Sequence, residues 1–64
     1  MVKFLNRQQL KTVIKDLKYN GFSVTVDDGW HTARDDDGTK VLVAMPHSNG
    51  SFMVNYNNDY FSEV

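Results

Sequence analysis

Between Arg7 and Tyr19 the apolar residues Leu10, Val13, Ile14 and Leu17 fall at i, i+3, i+4 and i+7, the spacing that gathers side chains into one stripe of an α-helix. The flanking residues predict both ends of that helix. Asn6 is able to accept a hydrogen bond from the first turn, Gln9 stands where a capping box places Glu or Gln, and Leu5 is placed to staple onto Leu10. At the other end Asn20-Gly21 offers a left-handed cap, with Phe22 set to close against Leu17.

From Phe22 onward the period drops to 2. Phe22, Val24 and Val26 alternate with Ser23 and Thr25, which predicts a half-buried strand. Asp27-Asp28-Gly29 reads as a short hairpin loop, Trp30 to Arg34 as the return strand, and Asp35-Asp36-Asp37-Gly38 as a second turn. A third strand follows from Thr39 to Met45, then a loop from Pro46 to Gly50. In a fourth strand, Ser51 to Tyr56, Phe52, Val54 and Tyr56 alternate with Met53 and Asn55, and residues 57–64 carry no period. The expected architecture is α+β, one N-terminal helix packed on a three- or four-stranded antiparallel meander in a single domain, 1–64. Its expected core is Leu10, Val13, Ile14, Leu17, Phe22, Val24, Val41, Val43, Phe52 and Val54, subject to strand register, because a one-residue slip exchanges the faces of a strand.

At 64 residues the chain has room for one core, and with no cysteine that core has neither disulfides nor thiolate metal sites to help it. Apolar runs such as Val41 to Met45 are far too short to cross a bilayer, and the N-terminus lacks a signal pattern. A soluble, cytoplasmic protein without membrane partners is expected. Net charge is −1, unevenly spread: residues 1–20 hold five basic residues and one Asp, net +4, whereas the remainder holds two basic and seven acidic residues, net −5.

Arg7, Lys11, Lys15 and Lys18 form a row along one flank of the helix, beside the apolar stripe, where they would meet phosphates, meet an acidic partner, or stand as a solvated edge. His31 carries an imidazole, the side chain that most often serves as general acid or base, but as a strand residue it is first read as a histidine of the solvent face. His31 and His47 alone fall short of a zinc site, which takes a third and fourth ligand, so no metal and no cofactor are expected. Asp35, Asp36 and Asp37 lack the alternating ligand spacing of a calcium loop and suit turn chemistry, or an acidic patch that competes for basic surfaces. Trp30 and Tyr56 are aromatics left outside the core, the kind of residue that marks an interface.

Asn20-Gly21-Phe22, Gly29-Trp30-His31, Asp37-Gly38, and Val41-Leu42-Val43 with Pro46-His47 beyond follow one another in an order that resembles the HicA-type toxins, small ribonucleases of toxin–antitoxin modules. The resemblance covers roughly residues 10–47. It implies a fold like the double-stranded-RNA-binding domain, RNA as substrate, and a catalytic role for His31, with Lys11 and Lys15 as phosphate contacts. The residues by themselves, lacking an assembled nucleophile or metal constellation, point first to a non-enzymatic protein-interaction module, an inhibitor or regulator of the kind mobile elements carry. That module would bind another protein, or a second copy as a homodimer, through Arg7, Lys11, Lys15, Lys18, Trp30, Asp35, Asp36, Asp37 and Tyr56. A HicA-like endoribonuclease toxin, or an inactive relative, is the alternative.

Overall fold

Both helix-end signals are realised in the computed structural model, which describes residues 2–57. Helix α1 spans Arg7–Tyr19. Asn6 Oδ1 accepts from the Gln9 backbone N–H at 2.8 Å and Gln9 Oε1 accepts from the Asn6 N–H at 2.9 Å, so two of the orphan donors of the first turn are satisfied reciprocally. At the C-terminus the Phe22 N–H donates to Leu17 O at 3.0 Å and the Gly21 N–H to Lys18 O at 3.1 Å, a Schellman pair that turns on Gly21 at φ +92°.

Five strands form one antiparallel sheet: β1 Val2–Asn6, β2 Ser23–Asp27, β3 Trp30–Arg34, β4 Lys40–Pro46 and β5 Ser51–Tyr56. Their order is β1-β5-β4-β3-β2. The meander predicted after the helix is present as β2 to β5, and the sheet is one strand wider than the pattern predicts because the segment before the helix is itself a strand. β1 pairs with β5 from Val2↔Asn55 to Asn6↔Ser51, a contact between the two ends of the described chain. Residues 57–64 have no predicted element; of these only Asn57 is among the described residues, and it is tied back to β4 by Asn57 N–H→Val41 O at 2.9 Å and Asn57 Nδ2→Lys40 O at 3.0 Å.

Because β1 and β2 are opposite edges, α1 has to cross the whole sheet to join them. It leaves β1 at the end of the sheet where Asn6 faces Ser51 and arrives at the other end, where Ser23 faces Arg34. Thirteen residues give a rod about 20 Å long and about 10 Å wide, while five strands span about 19 Å between the outer two. One helix therefore covers a diagonal of the sheet face and leaves corners bare. The dimensions, 33 × 27 × 17 Å, leave room for one sheet and one helix layer.

The core consists of Leu10, Leu17, Ala33, Val41, Leu42, Ala44 and Val54, with Leu5, Val13, Ile14, Phe22, Val24, Phe52 and Tyr56 packed around it. Val43, expected inside, is half-buried on the helix-free face, and Leu42 takes its place. The cause is a register shift. Ala33 pairs with Leu42 but Arg34 pairs with Lys40, so β4 carries Val41 as an extra residue and both Val41 and Leu42 turn inward.

The β2–β3 hairpin closes through Asp28 at φ +53° and Gly29 at φ +83°, left-handed values that suit a two-residue turn. A Cβ on Gly29 would lie 3.0 Å from Pro46 Cγ, whereas one on Gly38, at the same φ, meets nothing within 4 Å. Gly29→Ala is expected to cost about 1–2 kcal/mol from backbone strain and then more from the Pro46 contact. Thermal melts should rank it below Gly38→Ala, and equal losses would remove the steric part of this reading.

Candidate functional site

The bare corner left by the diagonal helix is a groove of about 930 Å³, bounded by the Arg7, Lys11, Lys15 and Lys18 flank of α1 on one side. His31 and Phe52 lie opposite, with Gly29 and Pro46 at the far end. The register explains this floor. His31 pairs with Ala44 and with Val26, and Ala44 with Val54, so the imidazole points to the helix side of the sheet and not, as the alternation alone allows, to the helix-free face.

The His31 ring is half-buried and stands edge-on to Phe52, with centroids 5.6 Å apart and planes at 89°. Its Nδ1 is buried without a hydrogen-bond partner. An orphaned polar atom of this kind costs about 1–3 kcal/mol, a penalty that a purely structural position would shed. His31→Leu is accordingly expected to raise the thermal midpoint, and a lower midpoint would show that the imidazole contributes to the fold.

All four α1 cations are exposed, and among the described residues no carboxylate lines the groove and none of the four is held in an ion pair. The helical spacing predicts a stripe of Arg7, Lys11, Lys15 and Lys18, and the fold makes all four one wall of a cleft.

The other candidates lie elsewhere. Asp35, Asp36 and Asp37 follow β3 at the end away from His31, so the acidic turn that is close in sequence is separated by the length of the strand. Asp35 Oδ1 accepts from the Asp37 and Thr39 N–H groups at 2.9 Å each, which gives that carboxylate a turn-forming role. Trp30, one residue before His31, faces the opposite side of the sheet and borders a shallow recess with Thr25, Asp27, Asp28 and Thr32. Tyr56 packs against the core with Lys3 Nζ 5.9 Å above its ring, and burial raises its hydroxyl above the ordinary value of 10.

His47 is remote from His31 in role: it touches Phe4 edge-on at 5.2 Å and lies 3.3 Å from the Ser48 hydroxyl. Among the described residues no group of three or more His, Cys, Asp or Glu is placed to hold a metal ion. None of the described helices is long and apolar enough to cross a membrane. Phe52 and Pro46 were not singled out as site residues, since only the β3–β4–β5 register brings them beside His31. No family model, curated protein or solved structure matches the chain.

Proposed function

We propose that the chain is a small cytoplasmic RNA-directed protein that holds single-stranded RNA along the α1 groove and uses His31 as an acid–base group on the bound strand. One observation carries the reading: four cations without carboxylate partners among the described residues and a half-buried imidazole line the same groove. Arg7, Lys11 and Lys15 are four residues apart, a rise of about 6 Å per step, comparable with the separation of neighbouring phosphates on an extended strand. Phe52 gives the opposite wall an apolar surface against which a base can stack.

Cleavage here needs no enzyme nucleophile. The ribose 2′-oxygen attacks the adjacent phosphorus, its proton passes to the neutral imidazole of His31, the bond from phosphorus to the 5′-oxygen breaks, and that oxygen takes a proton from water. The products are a 2′,3′-cyclic phosphate and a free 5′-hydroxyl, while Lys11 and Lys15 offset the extra charge at phosphorus. This is the role that the resemblance to HicA-type toxins implies for His31. His31→Ala is expected to keep fold and RNA affinity and to lose cleavage at least about a hundredfold. Cleavage that survives the substitution would exclude the acid–base role, and absent RNA binding by the unaltered chain would exclude the reading as a whole.

A protein-interaction module remains the second reading, favoured by Trp30, 44 % exposed beside the acidic β2–β3 turn on the face away from the groove. It predicts that Trp30→Ala abolishes capture of a protein partner and leaves RNA affinity unchanged. Loss of capture on changing Lys11 instead would move the partner to the groove.

A further inference from the structure

Of the polar side-chain atoms among the described residues, His31 Nδ1 alone is buried without a hydrogen-bond partner. The other ring nitrogen, Nε2, is neither closed off nor bonded to a described residue, so it is the nitrogen that a ligand in the groove meets. A histidine that moves protons usually has its inner nitrogen held by a carboxylate or a carbonyl, and that bond decides which nitrogen carries the proton of the neutral ring. His31 has no such acceptor. What stands beside it is Phe52, T-shaped to the imidazole with centroids 5.6 Å apart. The register brings the two rings together: His31 pairs with Ala44, Ala44 with Val54, and Phe52 lies two residues from Val54 on the same face of β5. Ala44, on the strand between them, has too short a side chain to keep them apart.

We infer that Phe52 is a positioning residue for His31: its ring face receives the Nδ1–H, which fixes the neutral imidazole in the tautomer that turns the Nε2 lone pair into the groove. An aromatic face is the negative pole of the ring's quadrupole, so it favours an N–H over a lone pair directed at it. The opposite wall acts in the same sense. Arg7, Lys11, Lys15 and Lys18 line the groove that Nε2 meets, and among the described residues no carboxylate does, so the positive potential there favours a lone pair over an N–H. Both ends of the imidazole dipole are thus aligned with their surroundings, and an aromatic ring holds the place that a carboxylate takes in a catalytic triad. An N–H to a ring face is weak, so most of the cost of burying Nδ1 stands. The consequence for cleavage rests on the reading of the groove as an RNA site. There the ring stands ready with Nε2 free to take the 2′-hydroxyl proton, and no exchange of tautomers precedes the step.

Long-range nitrogen–proton NMR correlation of the imidazoles reads the tautomer directly, with His47→Gln used to assign the two histidines. In the unaltered chain without RNA, the neutral ring of His31 should carry its proton on Nδ1. That proton should resonate upfield of an ordinary imidazole N–H, because the ring current above the Phe52 face shields it. A proton found mainly on Nε2, or an Nδ1 proton without the upfield shift, overturns the inference and needs no variant to do so. Phe52→Leu keeps an apolar side chain and removes the ring. It should move the proton toward Nε2 and lower kcat on saturating RNA at least about tenfold, since the wrong tautomer disables a catalytic histidine. Phe52→Tyr keeps the ring and should show the Nδ1–H spectrum again, whereas a Phe52 that merely fills space predicts the same tautomer in all three proteins. The spectra are recorded without RNA, so a chain that shows Nδ1–H and binds no RNA fails the RNA reading alone. One that cleaves RNA with its proton on Nε2 fails this inference alone.

Discussion

Leu42→Thr is expected to remove about 3–5 kcal/mol of stability, while Val43→Thr, one residue further on, costs less than about 1 kcal/mol. The two side chains are adjacent on β4 and both apolar, so composition does not separate them. Leu42 is 1 % exposed between Ala33 and Tyr56 on the helix side, where a hydroxyl finds no water and the shortened side chain leaves a void. Val43 faces away from the helix between Thr32 and Asn55, both able to neighbour a hydroxyl. A chain of this length holds on the order of 3–10 kcal/mol in total, so the first change removes a large share of it. In thermal melts Leu42→Thr should lose about 15 °C or more. If Val43→Thr proved the more damaging, β4 would have to follow strict alternation, and the extra residue at Val41 would be excluded.

That pair of residues also marks where the sequence stopped being legible. Local signals translated directly into structure: the Asn6–Gln9 capping box, the Gly21 cap with Phe22 bonding back to Leu17, and the left-handed Asp28-Gly29 turn all involve groups within five residues of each other. The misplacement of Val43 came from a two-residue period applied through a bulge that only pairing with β3 creates. β1 was hidden for a related reason. Val2, Lys3, Phe4 and Leu5 show no clean alternation, because the strand has apolar residues on both of its faces and its partner lies some fifty residues away on β5.

The groove was half legible. Helical spacing grouped Arg7, Lys11, Lys15 and Lys18 without any structure, since the period of a helix is fixed by its own backbone. What those cations face was not readable, because it depends on α1 crossing between the two edges of a sheet whose width was underestimated by one strand. The acidic turns were the misleading element. Asp27, Asp28 and Asp35–Asp37 bracket His31 in sequence, but β3 carries the Asp35–Asp37 turn to the opposite end of the sheet, and none of these carboxylates lines the groove.

Salt dependence offers the largest expected effect on binding. If all four α1 cations neutralise phosphates of a single strand, the logarithm of the association constant falls with the logarithm of salt at a slope of about −2.8, so affinity drops about fiftyfold between 50 and 200 mM. Changing Lys11 and Lys15 to Gln leaves two contacts, a slope of about −1.4, and about a sevenfold drop over the same interval. Affinity at low salt should fall at the same time, whereas at high salt the two proteins should converge. Asp36→Asn with Asp37→Asn, at the other end of β3, alters net charge by a similar amount in the opposite sense without touching the groove, and should change the slope little. Fluorescence titration of a short unstructured RNA at several salt concentrations measures all three proteins. A slope that follows net charge and ignores position would show that RNA meets the molecule's overall field, and would remove the groove as its binding site.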